Sequence, residues 1–258
     1  MSLTDETARI AAAVLNRDLI AAPGEGGVTF TLEDAYSVQD GVVDALDKAG
    51  HARAGAKIGL SAAAAQAAFG LSEPVSGILY SHMMLRDGAQ IAAGDHRQPR
   101  VEAEICFRLG ADLDVPDLSE EAALAAIAEV MPAIEVVDSR FDGWTGGPLD
   151  MLAENVAAAW FVCGAPVPGV DPAELDKATM KMFVDGEEVA VGAGAATHGG
   201  PLPALVWLAR NLAKRGHPLK SGDYVMSGAF AAMHPVPSGS EVRVEIDGIG
   251  TVSVGFDA

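Results

Sequence analysis

Val101-Glu-Ala-Glu-Ile-Cys-Phe-Arg-Leu109 alternates apolar and polar side chains almost residue by residue. A β-strand sends successive side chains to opposite faces, so Val101, Ala103, Ile105, Phe107 and Leu109 share one face, and Glu102, Glu104 and Arg108 the other. The two glutamates leave that face about 7 Å apart at the backbone and repel unless something positive lies between them. Downstream, Ala133-Ile-Glu-Val-Val137 reads as a second strand and sets Glu135 among neighbours where an apolar residue would be cheaper to bury. Two readings are open at this point. The acids form a solvated outer face, or they are three hard oxygen donors suited to Mg²⁺ or Mn²⁺, since Zn²⁺ more often recruits His or Cys.

Working outward, Ile10, Val14 and Leu15 fall on one face of an N-terminal helix. Thr31-Leu-Glu-Asp34 has the form of a capping box opening a second helix, lined by Leu32, Tyr36, Val43 and Leu46 with Gln39 as its polar interruption. Residues 1–53 therefore read as a helical cap, and residues 54–258 as a unit of mixed strands and helices. Helices are expected near Ala62–Phe69, Ser119–Val130 and Leu202–Lys214. Asp185-Gly186 and Asp247-Gly248 are hairpin-turn signals, and Asp223 to Phe256 reads as a run of strands. The fold class is α+β.

The chain has 258 residues, with 36 Asp plus Glu against 17 Lys plus Arg, a formal charge of −19. No basic stripe offsets this field, which argues against nucleic-acid and anionic-membrane partners. Half the residues are apolar and 21% charged, as in a globular protein with a real core. The uncharged run Val189–Ala209 is broken by glycines and prolines and reads as a loop entering a helix, not a membrane span. Acids at Asp5 and Glu6 stand where a signal peptide needs basic residues, so a cytoplasmic location is expected. Cys106 and Cys163 have no CxxC partner and read as two buried, reduced thiols.

Six segments, in order, resemble the motifs of the 2-keto-4-pentenoate hydratases and 4-oxalocrotonate decarboxylases of the fumarylacetoacetate hydrolase superfamily. They are Ala56-Lys-Ile-Gly-Leu-Ser61, Pro99-Arg-Val-Glu-Ala-Glu-Ile-Cys-Phe107, Pro132-Ala-Ile-Glu-Val-Val-Asp-Ser-Arg140, Ala153-Glu-Asn155, Trp207-Leu-Ala-Arg-Asn-Leu212 and Ser221-Gly-Asp-Tyr-Val-Met-Ser-Gly228. The resemblance implies that residues 54–258 are the catalytic domain, a mixed β-sandwich roll of that type, under the helical cap of residues 1–53. It implies that Glu102, Glu104 and Glu135 hold Mg²⁺ or Mn²⁺. It implies a lyase adding water to a 2-hydroxy-2,4-dienoate through an enolate, in aromatic-compound degradation. Lys57 matches the family's Lys-x-Gly-Leu lysine, with the role of pairing the substrate carboxylate or moving a proton. Gln66 falls where many members have a substrate-binding Gln. His198, before the helix near Leu202, could receive a distal carboxylate. Arg140 could brace the metal site through Asp138.

Two departures bear on the reaction. His82, in Gly77-Ile-Leu-Tyr-Ser-His-Met83, stands where many hydratases carry an aspartate before a methionine, and a histidine near neutrality is a competent acid or base. Ala157 and Ala158 replace serines that can handle the attacking water. These departures keep open a decarboxylase of the 4-oxalocrotonate type, a tautomerase or a C–C hydrolase on the same metal site. A non-catalytic partner of a related decarboxylase is the non-enzyme alternative. The resemblance further implies a homo-oligomer able to associate with such a decarboxylase.

Overall fold

The alternating stretch lies at the centre of the molecule. In the computed structural model, which describes residues 2–258, it forms β5 (Arg100–Leu109), hydrogen-bonded on both sides. Preceding it are α1 (Leu3–Asn16), α2 (Leu32–Lys48), β1 (Arg53–Gly59), α3 (Ala63–Ala68), β2 (Val75–Tyr80), β3 (Met84–Arg86) and β4 (Ala89–Ile91). After it come α4 (Glu120–Ala126), β6 (Ile127–Val137), α5 (Pro148–Ala153), β7 (Ala158–Cys163), β8 (Thr179–Val184) and β9 (Glu187–Ala193). The chain ends with α6 (Pro201–Lys214), β10 (Tyr224–Met226), β11 (His234–Pro235), β12 (Glu241–Ile246) and β13 (Gly250–Phe256). One sheet has the order β2-β1-β10-β5-β6-β7-β3 with β11 added to β5; the other has the order β4-β13-β12-β8-β9. β12 and β13 pack against β6, so Val242, Val244, Val252 and Val254 meet the buried side of the larger sheet in one core.

Both expected N-terminal helices form. Thr31 Oγ1 accepts the N–H of Asp34 while the Asp34 carboxylate accepts that of Thr31, satisfying two of the first-turn donors that a helix leaves unpaired. Gln39 is buried and donates from Nε2 to the Ser76 carbonyl at 2.7 Å, and Tyr80 donates to the Val43 carbonyl and to Asp47. These bonds fix α2 on β2. Ile10, Val38 and Val42 belong to the same hydrophobic cluster as Ile105 and Ile134, so the core runs unbroken across the 53/54 boundary.

One expected helix is shorter than its sequence pattern. Ser119 caps α4, but the helix stops at Ala126, and Ile127–Val130 is strand. The reason is tertiary: β6 pairs with β5 along its length, from Glu102↔Glu135 to Leu109↔Ile127, and the β-branched Ile127 and Val130 suit that ladder. The uncharged run Val189–Ala209 likewise begins within strand β9 before the glycine turn into α6. Among the described residues no helix is long and apolar enough to cross a membrane. Cys106 is buried, Cys163 half-buried, and both are free thiols.

Candidate active site

Register assembles the acids. Glu102 and Glu135 are directly opposed across β5 and β6, and Glu104 lies two residues further along the same face. The solvated-face reading fails here: Glu104 and Glu135 are fully buried, and Glu102 lines the wall of a cavity. Carboxylate oxygens of the three lie within 4.8 Å of one another. The short strand β10 explains how a cation reaches them. It pairs with both β1 and β5 and ends at Met226, opposite Lys57 and Cys106, while the chain beyond stays on β5, Ser227 and Phe230 donating their N–H groups to the Ile105 and Ala103 carbonyls. Lys57, at the end of this β1 pairing, sets its Nζ 3.1 Å from Glu135 Oε1. The segment after β10 also contributes a donor, because the Gly228 N–H bonds Glu104 Oε2 at 2.8 Å. A side chain at residue 228 would require φ +99° and would place its Cβ 2.5 Å from Ser61 Oγ, so this approach demands glycine.

The electrostatics are unbalanced. Burial raises the carboxyls of Glu102, Glu104 and Glu135, and mutual repulsion adds to this at Glu102, pushed up to about 7, and at Glu104. Burial works against the Lys57 ammonium too, but Glu135, Glu102 and Glu104 outweigh it and hold the amine above the usual lysine range. Glu104 Oε1 and Glu135 Oε2 have no hydrogen-bond donor, and Glu135 Oε1 has Lys57 Nζ alone beside it. Buried acceptors of this kind are costly without a partner. One ammonium cannot offset three carboxylates, and one oxygen from each lies within 4.8 Å of the others, a spacing that a cation with oxygen ligands at about 2.1–2.5 Å can bridge. The donor set fits Mg²⁺ or Mn²⁺ with Glu102, Glu104 and Glu135 as its residues.

A backbone feature completes the site. Asn155, Val156 and Ala157 all have positive φ, at 65°, 57° and 52°. Such a run of non-glycine residues costs on the order of 1 kcal/mol each and marks a segment held by its surroundings. Asn155 does the holding. Its side chain accepts from the Ile78 N–H and donates to the Ile78 carbonyl, both at 2.8 Å, clamping the segment to β2. The strained turn aims the Val156 carbonyl at Lys57 Nζ, 3.3 Å away. Gly77 makes room, since a Cβ there would sit 3.1 Å from the Asn155 carbonyl and 3.2 Å from the lysine stem. Asn155→Ala should lower stability by about 2–4 kcal/mol, from two lost buried bonds and a poorer left-handed residue; chemical denaturation measures it. The turn was not legible in advance, although Asn155 itself, a residue that tolerates left-handed backbone, was the available signal.

The other sequence candidates lie apart from this cluster. His82 lines a separate cavity of about 100 Å³ with His51, Arg17 and Trp160, its ring 4.2 Å from that of His51. Burial, together with His51 and Arg17, pushes it down to about 4, so it is uncharged at neutral pH, and it is not in the lining of the cavity that holds Lys57. The cause is geometric: β2 ends at Tyr80 and the chain turns, so from this region Val75, not His82, enters the cavity shared by Lys57 and Glu102. His82→Gln is expected to leave kcat within a few-fold of the parent in a steady-state assay. Gln66 donates Nε2 to the Leu60 carbonyl at 2.9 Å and does not line the cavity. His198 donates its N–H to the Ser61 carbonyl and packs its ring edge-on to Trp207, outside the cavity wall. Arg140 pairs with Asp138, whose carboxylate also accepts the Arg97 and Gln98 N–H groups, so the two lock the end of β6.

Residues 47–256 match the family profile described as fumarylacetoacetate (FAA) hydrolase, C-terminal. The chain belongs to the fumarylacetoacetate hydrolase family. Among its relatives, the TodF product hydratase of Pseudomonas putida F1 is 38% identical over 97% of both chains. A 2-keto-4-pentenoate hydratase of Paraburkholderia xenovorans LB400 is 36% identical over 89% of this chain and 85% of that one. The solved structure of 4-oxalocrotonate decarboxylase from Pseudomonas putida G7, complexed with magnesium and adipate, superposes with a TM-score of 0.90. It is 32% identical, over 98% of this chain and 97% of that one. Within the family fold, the Glu102, Glu104, Glu135 and Lys57 cluster opens onto a cavity of about 470 Å³ bounded by Ile58, Val75, Met151 and Val156.

Proposed function

We propose that this family member is a divalent-cation-dependent lyase that adds water to a 2-hydroxy-2,4-dienoate in the breakdown of aromatic compounds. The observation that carries the reading is the cluster of three carboxylates, two of them fully buried with oxygens that lack a hydrogen-bond donor, beside one buried ammonium at the end of a substrate-sized cavity. The two hydratase relatives support the choice of reaction. When bound, Mg²⁺ or Mn²⁺ supplies positive charge that offsets the negative charge developing on the substrate's 2-oxygen. Lys57, fixed by Glu135 and by the Val156 carbonyl, offers a charge-assisted donor to the substrate carboxylate and a proton for its carbon skeleton. Because Ala157 and Ala158 carry no hydroxyl, the attacking water is left to Lys57 Nζ, the Val156 carbonyl and the acids for orientation. The largely apolar walls thin the solvent around these groups, which strengthens their electrostatic action. His82, Gln66 and His198 take no part.

The test is spectrophotometric consumption of 2-hydroxypenta-2,4-dienoate with Mn²⁺ or Mg²⁺, repeated with chelator. Turnover that stops on chelation supports the proposal, and turnover indifferent to chelator contradicts it. The likeness to a decarboxylase makes loss of CO₂ from a 2-oxo dicarboxylic acid the second reading, and gas release in the same assay separates the two. A cytoplasmic homo-oligomer belongs to the same proposal, its assembly checked by sedimentation.

A further inference from the structure

The cavity is chemically one-sided, and on the hydratase reading of its polar end this bears on the substrate's other end. Beyond Lys57 and Glu102 its walls are apolar apart from the small hydroxyl of Ser61. Among the described residues Lys57 is the one cationic side chain in the wall, and it is paired with Glu135. The nearest alternatives are turned to other partners. Arg100 lies over the Trp144 ring, 4.3 Å from its centroid, and His198 is outside the lining. A carboxylate at the distal end of a substrate would therefore lose its hydration and meet no counter-charge, within the acidic field of a chain carrying −19.

Size points the same way. At about 470 Å³ the space falls among pockets that enclose ligands far larger than a five-carbon acid, roughly 300–1,000 Å³. Its width comes from alanines: Ala64 and Ala65 of α3 on one wall, Ala229 and Ala231 after β10 on another, with the Trp144 ring and Met233 also in the lining. Small side chains around an apolar chamber leave dispersion contacts unmade unless a ligand supplies them.

We infer that the substrate is a 2-oxo acid, or its 2-hydroxydienoate form, whose tail is uncharged, apolar and extends the chain beyond five carbons, and that carboxylate-tailed analogues are disfavoured. The inference rests on the hydratase reading for the polar head alone. The test measures binding: calorimetric titration of the Mn²⁺-loaded protein with pyruvate, 2-oxohexanoate, 4-phenyl-2-oxobutanoate and 2-oxoadipate. Each methylene buried in the chamber should tighten binding about three- to fourfold, so 2-oxohexanoate should bind roughly thirty- to sixtyfold tighter than pyruvate. The phenyl compound should bind at least as tightly, and 2-oxoadipate, of the same length as 2-oxohexanoate, at least tenfold more weakly than it. In Ala65→Leu, which narrows the chamber from a helical position, the hexanoate-to-pyruvate ratio should collapse towards one. Equal affinities along the series, or 2-oxoadipate matching 2-oxohexanoate, would overturn the inference while leaving the head-group reading intact. Failure of all four acids to bind would overturn both.

Discussion

Glu104→Gln is expected to abolish divalent-cation binding and to reduce turnover at least a thousandfold, while making the metal-free protein more stable. The two effects share one cause. Glu104 is fully buried, one oxygen accepts from Gly228 and the other has no donor, and Glu135 and Glu102 face it. Burial, then repulsion by those two acids, raises its carboxyl well above the usual range. A carboxyl raised on folding is bound to its proton more firmly in the native than in the unfolded chain. The penalty is thus absent below the ordinary glutamate value near 4.3 and grows as pH rises towards the folded value. The amide keeps the acceptor for Gly228, offers Glu135 a donor and carries no charge. Near pH 8, in chelator, it should stabilise by about 1–3 kcal/mol, or several degrees in Tm, and at pH 4 the difference should vanish. Scanning calorimetry in chelator at the two pH values checks this. A lower Tm for the variant at pH 8, or retained metal affinity, would remove Glu104 from the site.

Lys57→Met should do the reverse to stability and the same to activity. Lys57 is the single cation among the three acids, buried with them and 3.1 Å from Glu135. Methionine keeps much of the stem that packs on Gly77 but leaves the carboxylates uncompensated. Removing one partner of a buried pair typically costs about 3–5 kcal/mol. That loss should appear in chelator and shrink when Mn²⁺ is added, because the cation then carries the compensation alone. Turnover should fall about 10²–10⁴-fold, the usual contribution of a positioned proton donor. Denaturation curves with and without Mn²⁺, alongside kcat, measure both. An unchanged midpoint in chelator would contradict the charge balance described for the cluster.

The parts of the site that sequence patterning exposes are those set by strand period. Strand period put Glu102 and Glu104 on one face and marked Glu135 as an acid in an apolar strand, but it left a solvated face open until register opposed Glu102 to Glu135 and buried Glu104. The cap helices were equally legible, since Thr31 and Asp34 bond within four residues. What escaped is governed by distant partners. The end of α4 at Ala126 is dictated by pairing with β5, and the left-handed turn at Asn155 by a clamp on Ile78, across 77 residues of chain. His82 illustrates the converse case. Its chemistry suited the role suggested by its place in the motif, but the turn after Tyr80 carries it into another cavity beside His51. Gln66 gives its amide N–H to the Leu60–Ser61 loop and His198 its backbone N–H to Ser61, and neither residue lines the cavity.

Isothermal titration of the chelator-stripped protein with Mn²⁺ at pH 8 and pH 6 tests the central claim most directly. Three buried carboxyls, with Glu102 titrating near 7, must shed protons to receive the ion, so binding should release protons and weaken by about tenfold or more at the lower pH. The expected result is one ion per chain, lost in Glu104→Gln and proton-coupled in the parent. Binding that is absent, independent of pH, or undiminished in the variant would contradict the assignment of Glu102, Glu104 and Glu135 as the cation site.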